Sequence, residues 1–149
     1  MIRRVGENLV KGVDYIQRPG VYAILPVRHR LLLTHQMEPA PEFQLPGGGI
    51  DPGEHPISAL HREVMEETGW TIQKPVRMGA FRRFVFMPEY DFWAEKVCTI
   101  FLAKPVMRLG DPTENGHTDH LVPIKLAPEI VENPGDKSFI LHFLKNTVR

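Results

Sequence analysis

Two short apolar runs, Val21-Tyr-Ala-Ile-Leu-Pro-Val27 and Leu31-Leu-Leu-Thr-His35, flank the polar Arg28-His-Arg30. Runs of this length around a polar turn predict a hairpin whose strands face a core. Pro26 consigns the end of the first strand to an edge or bulge, because proline cannot donate to a ladder. From Glu38 to Gly49 the chain is punctuated by Pro39, Pro41 and Pro46, which predicts a loop. A helix then starts near Pro56, where the missing N–H would be unpaired in any case, and Gly69 suits the left-handed position just past its end. At 100° per residue Ile57, Leu60 and Val64 fall together as a buried stripe. Val76–Phe86 and Lys96–Val106 read as strands, joined by Met87 to Glu95. A turn-rich segment, Gly110 to Gly116, leads to a short strand near Leu121–Ile124. Beyond Ala127 helical spacing is interrupted at Asn133-Pro-Gly135, and Phe139, Ile140, Phe143 and Leu144 then form one face of a final helix. Strands mixed with two helices define an α/β (α+β) class.

The polar side of the first helix changes this picture from a fold to a chemistry. Glu63, Glu66 and Glu67 stand at i, i+3 and i+4, on one face and on the flank of the buried stripe. Like charges so placed cost a few tenths of a kcal/mol per pair, roughly, unless a cation lies among them. Carboxylate oxygens are the ligands that hard Mg²⁺ or Mn²⁺ prefers; a solvated acidic face is the plain alternative. Ala59, one turn earlier, leaves room beside the acids, and Gly47-Gly48-Gly49 lets backbone approach the same place closely.

Composition narrows the partners. The 149 residues balance at a formal charge of zero, which argues against a large nucleic-acid footprint but leaves a small anionic substrate open. One domain, 1–149, is expected from the length. A single cysteine, Cys98, permits no internal disulfide and reads as a small buried hydrophobe in the run Val97–Ala103. The N-terminal residues lack the apolar region of a secretory signal and no stretch reaches membrane-spanning length, so a cytoplasmic location is the expectation, with no membrane partner.

Gly48, Glu54, Arg62-Glu63, Glu66-Glu67 and Gly69-Trp70 stand at spacings that resemble the Nudix box without a break. That resemblance implies a mixed β-sheet sandwiched between helices, with a catalytic loop-helix. It implies Mg²⁺ (or Mn²⁺) held by Glu63, Glu66, Glu67 and the Gly47 carbonyl. By the same resemblance Arg62 pairs with acids to hold the loop-helix geometry, Glu54 helps that scaffold, and Gly48 and Gly69 belong to the motif. Many relatives use a further acid from a late loop as general base or ligand. Glu114 is the candidate here, ahead of Glu95 and Asp119, with a turn carboxylate in water as the alternative for each.

Substrate contacts are sought outside the box. His35 ends the second apolar run, where MutT-type relatives place basic residues near phosphates. Arg82 and Arg83 could clamp a phosphate, but an alternating strand lets only one face the cleft. Tyr90, with Phe84, Phe86, Phe92 and Trp93, could stack on a base or cover the core. His117 and His120 invite zinc, but neither a cysteine nor a third histidine stands near them. Pro88 and Tyr90 lie too far past the box for the intervals typical of ADP-ribose or diadenosine polyphosphate hydrolases. Leu121 replaces the tryptophan that many relatives carry before a Val-Pro pair, which bears on the pocket wall.

The resemblance thus implies a Mg²⁺-dependent pyrophosphohydrolase for a nucleoside diphosphate linked to another moiety, a MutT-like nucleoside triphosphate first. ADP-ribose or a nucleotide sugar follows, and RNA 5′-pyrophosphate removal ranks lower on charge. A nucleotide-sensing module without turnover is the rival, although such modules usually lose a box acid and this chain keeps all of them. The partner is a small-molecule nucleotide, with no stable nucleic acid, and the chain is a monomer or homodimer.

Overall fold

The computed structural model describes residues 2–147. In chain order its elements are β1 (Arg3–Arg4), β2 (Tyr15–Ile24), β3 (Pro26–Val27), β4 (Arg30–Gln36), β5 (Glu42–Gln44), β6 (Gly47–Gly49), α1 (Pro56–Thr68), β7 (Trp70–Met87), β8 (Phe92–Arg108), β9 (His117–Pro123), α2 (Ala127–Ile130) and α3 (Pro134–Thr147). One mixed sheet runs β1-β7-β8-β2-β6; in the other, β4 pairs with β3 and β5 on one side and with β9 on the other.

Strand alternation explains the layers. Along β4, Leu31 and Leu33 pack with Ala127, Val131, Ile140 and Phe143 of the C-terminal helices, whereas Leu32 packs with Ala59, Leu60 and Val64 of α1. Along β2, Ile24 joins the first group, and Val21 and Ala23 the second. The β-structure is therefore sandwiched between α1 and α2–α3, and each fully buried Leu or Val contributes about 1.5–3 kcal/mol. Ala59 is 0% exposed: its small size serves the core rather than leaving room in an open site.

The first hairpin is built differently from its sequence reading. Val21–Ile24 is the end of a longer strand paired in parallel with β8 and antiparallel with β6. Only Pro26–Val27 turns back on β4, because at Leu25–Pro26 the chain passes from one sheet to the other. The expected loop from Glu38 to Gly49 contains two strands, β5 and β6. The long hairpin β7–β8 also reaches further than Val76–Phe86 and Lys96–Val106, and a register shift between Gln73 and Val76 accommodates Pro75. No helix among the described residues is long and apolar enough to cross a membrane.

Candidate active site

Helix α1 is fixed at both ends by local chemistry. His55 caps its start, with Nδ1 accepting the Ile57 N–H at 3.1 Å, a cap the sequence reading did not name. Gly69 ends it at φ 76°, its N–H donating to the Met65 carbonyl at 2.9 Å.

Arg62 organises the polar face. Its Nε and Nη2 donate to the two oxygens of Glu54 at 2.8 and 2.9 Å. Nη1 donates to Glu63 at 2.9 Å and to Glu66 at 3.2 Å, while Nη2 also reaches the Gly49 carbonyl at 3.1 Å. The Arg62 hydrogen bonds, helped by the Asp51 N–H, hold the Glu54 carboxyl down at about 2. One planar fork thus joins the glycine strand, the loop and the helix.

Glu67 is the deepest of the acids, 7% exposed. Its Oε1 accepts the Gly47 N–H at 3.0 Å. Burial drives its pKa well above the ordinary carboxylate range; the Gly47 bond opposes this, and Glu63, Glu114 and Glu66 add to the rise. Glu63 is raised as well, by burial first, against the pull of Arg62. Gly47 adopts φ 150°, and a Cβ there would overlap the Val21 carbonyl and Tyr22. A Cβ on Gly48 would overlap the Glu63 carboxylate, so the second glycine is what admits that acid against the strand.

The late loop carrying Glu114 is pinned to the same helix: the Thr113 and Glu114 N–H groups both donate to the Glu66 carbonyl, at 2.9 and 2.8 Å. Glu114 lines the same cleft as Glu67 and Gly47. The other two late acids are engaged elsewhere. Glu95 pairs with Arg82 at 3.6 Å, and Asp119 with Arg108 at 2.9 Å.

His117 also faces this end of the cleft, its Nδ1 2.8 Å from Thr34 Oγ1 and its Nε2 3.6 Å from Glu67 Oε2. Burial lowers the His117 pKa and raises that of Glu67, so burial works against an ion pair at this contact. His120 turns the other way, against Phe43 with ring centroids 5.2 Å apart. Residues three apart share a face on a helix, not on a strand, and the histidines do not converge for zinc.

The cleft, about 800 Å³, runs from Glu67 and the glycines past Tyr22 and the N-terminus of α3 to the β7–β8 hairpin. Arg83 and Tyr90 line it. Arg82 points to the other face, beside Phe84. His35, expected near the substrate, is not among the cleft residues; it packs edge-on against Phe43 at 4.8 Å, because on β4 it is the neighbouring Thr34 that turns toward Glu67 and His117. Phe84 packs on Tyr15 and Trp93 on Phe86, while Tyr90 stacks on Phe92 at the hairpin tip. Leu121 lies with Val27 and Arg28 in a separate surface hollow, away from the cleft wall. Cys98 is buried on the cleft floor, and burial pushes its thiol up to about 12.

Missed by the sequence reading were Arg18, Tyr22 and Lys96 of the floor and Asp136 of the wall. Asp136 is 3% exposed, accepts the Leu45 N–H at 3.1 Å, and burial raises it to about 7. Its start-of-helix position after Asn133-Pro was the available signal.

The family model for the NUDIX domain matches residues 16–143. The chain belongs to the Nudix family. Among sequence relatives, a Bacillus subtilis protein provisionally named 8-oxo-dGTP diphosphatase is 33% identical over 70 residues, 47% of each chain. RNA pyrophosphohydrolase of Cereibacter sphaeroides is 46% identical over 65 residues, 42% of this chain and 40% of that one. The chain matches under half the length of these relatives. A Nudix hydrolase structure from Nitrosomonas europaea aligns at TM-score 0.73 and 20% identity, over 88% of this chain and 90% of that one. The MutT protein of Methanosarcina mazei aligns at 0.69 and 20%, over 93% and 100%. These structural likenesses bear on the Nudix fold, with its mixed strands sandwiched between helices.

The donor set suits a hard cation. Glu63, Glu66 and Glu67 offer only oxygen, and among the described residues the buried Glu67 has no Lys or Arg at ion-pair distance, only His117 Nε2 at 3.6 Å. Among the described residues no three acidic, histidine or cysteine side chains already converge on one point; Arg62 occupies the space between Glu63 and Glu66.

Proposed function

We propose that this Nudix chain is a Mg²⁺-dependent pyrophosphohydrolase, with Mn²⁺ as the alternative ion. It cleaves a nucleoside diphosphate linked to another moiety, a MutT-like nucleoside triphosphate first among them. The observation that carries this is Glu67, buried, fixed by the Gly47 N–H and surrounded by Glu63, Glu66 and Glu114 at the end of a long cleft. The name of the Bacillus subtilis relative supports a nucleoside triphosphate.

In this reading Glu63, Glu66, Glu67 and the Gly47 carbonyl would hold the ion, which when bound would neutralise phosphate charge and acidify a water. Arg62 and Glu54 keep the loop and helix in register. Glu114, free of any ion pair among the described residues, takes the proton from the attacking water or adds a ligand. Tyr90 and Arg83 contact the substrate from the hairpin. Gly48 keeps Glu63 close to the strand, and Gly69 ends the helix so that the Glu66 carbonyl can hold the Glu114 loop.

A second reading, pyrophosphate removal from an RNA 5′ end, draws on the names of the Cereibacter sphaeroides and Helicobacter pylori relatives. Phosphate and pyrophosphate release with Mg²⁺ across nucleoside triphosphates, oxidised nucleotides, ADP-ribose, nucleotide sugars, dinucleoside polyphosphates and 5′-triphosphorylated RNA separates the readings. A preferred nucleoside triphosphate supports the first. No turnover on any member, with nucleotide binding intact, overturns the enzyme reading in favour of a sensor.

A further inference from the structure

Three cations form one row across the cleft floor: Arg18 on β2, Lys96 on β8 and Arg83 on β7. The register places Arg18 opposite Lys96 and Lys96 opposite Arg83. Their side chains therefore leave the same face of three neighbouring strands, and all three line the cleft. Like charges directly across a ladder are destabilising, so a bound anion would relieve such a row.

On the opposite face of the same strands the charge is matched, Arg82 pairing with Glu95. On the cleft face it is not. Among the described residues no carboxylate comes within ion-pair distance of Arg18, Lys96 or Arg83; the buried Nε of Arg83, like that of Arg82 on the other face, has no hydrogen-bond partner. Glu89 at the hairpin tip and Asp136 on the wall lie near enough to attract Lys96 and Arg83 but do not pair with them. Burial lowers the Lys96 pKa, and Arg83 and Arg18 lower it further against the pull of Cys98 and Glu89. Arg18 lies over the Tyr90 ring, 4.9 Å from its centre, which leaves its in-plane N–H groups available.

The row is displaced from the acids along the floor. Tyr22 pairs with Gly47, and Arg18 lies four residues back on the same strand, about 13 Å away. That is farther than a diphosphate spans and suits the far side of a nucleoside.

We propose that the Arg18–Lys96–Arg83 row binds a second phosphate, carried on the 3′ side of the nucleoside whose 5′ diphosphate is cleaved at α1. Two planar guanidinium forks and an ammonium suit a tetrahedral oxyanion with several acceptor oxygens. The phosphate is a 3′ monoester or the first diester of a longer chain. This inference rests on the reading of the cleft as a nucleotide site, and because a nucleoside triphosphate has a free 3′ hydroxyl it favours an RNA 5′ end or a 3′-phosphorylated nucleotide within that reading.

The test is calorimetric binding of adenosine 5′-monophosphate, adenosine 3′,5′-bisphosphate and the 5′-phosphorylated adenosine dinucleotide to wild type, Arg83→Gln and Lys96→Gln. The expected result is binding of the bisphosphate or the dinucleotide roughly 10-fold tighter than the monophosphate, with that ratio falling to about 2-fold or less in both variants. A gain for the dinucleotide assigns the diester, and a gain for the bisphosphate alone the monoester. Arg18→Gln, at the half-buried edge of the row, gives the same comparison should Lys96→Gln fail to fold. Equal affinities in wild type, or an undiminished ratio in the variants, overturns the row as a phosphate site while leaving the nucleotide reading intact. Failure of all three ligands to bind overturns both.

Discussion

The Gly47 N–H donates to Glu67 Oε1 at 3.0 Å, across a gap of twenty residues, and so ties the glycine strand to the buried end of the acidic helix. Gly48 brings the next acid in: its missing Cβ is the space that the Glu63 carboxylate fills. The two glycines should therefore respond differently to substitution.

Gly48→Ala pushes only the end of a flexible side chain. It is expected to raise the Mg²⁺ concentration needed for half-maximal turnover while moving the melting temperature little. Gly47→Ala meets backbone at φ 150° and is expected to destabilise by about 1–3 kcal/mol. Thermal melts beside Mg²⁺ titrations of turnover check both. Equal stability losses in the two variants would contradict the distinction.

Arg62 is the hub of a network with Glu54, Glu63, Glu66 and Gly49. Arg62→Ala leaves those acids facing one another and is expected to cost about 1.5–3 kcal/mol in denaturant unfolding, the value of a charged hydrogen bond or more. Arg62→Lys keeps the charge without the fork, so it should recover only part of the loss. Full recovery by lysine would show that charge alone is needed.

Asp136 supplies a pH dependence. Its folded pKa, about 7, stands above the ordinary 3.8, so between about pH 4 and 7 the folded state holds a proton that the unfolded state has released. Stability therefore falls as pH rises through that window, levelling above about 7. Asp136→Asn keeps an acceptor for the Leu45 N–H and removes the titration. Relative to wild type it should gain stability with rising pH, on the order of 3 kcal/mol by pH 8. A constant difference between the two proteins across pH 4–8 would contradict the assignment.

Glu114→Gln should lower kcat about 10²-fold or more if the carboxylate takes the proton from water, with the Mg²⁺ dependence unchanged. A shifted Mg²⁺ dependence instead would make Glu114 a ligand. Single-substrate kinetics at several Mg²⁺ concentrations separates the two.

The loop-helix was legible because its determinants are local. Pro56, Gly69, the Ile57–Leu60–Val64 stripe and the i, i+3, i+4 acids all act within one helix. Strand β6 was not legible, since three glycines carry no alternation and the segment is a strand only because β2 pairs with it. The pairing of Val21–Ile24 with β8 rather than β4 is likewise non-local. The facing of His35 was not legible because a strand's facing cannot be fixed without its neighbours; Thr34, one residue back, is the one turned toward the Glu67 carbonyl and His117. Arg82 and Arg83 were correctly expected to face opposite ways, but which faced inward was decided by pairing with β8. The row of Arg18, Lys96 and Arg83 is assembled from three strands, so no local pattern could display it.

The most direct measurement is Mg²⁺-dependent release of phosphate and pyrophosphate by wild type and Glu67→Gln, side by side, on the best substrate of the panel. Glutamine keeps the acceptor for the Gly47 N–H and removes the charge. The expected result is a loss of turnover of at least about 100-fold in a variant whose melting temperature is equal to or above that of wild type. Turnover near wild type in Glu67→Gln would contradict the assignment of this carboxylate to the metal.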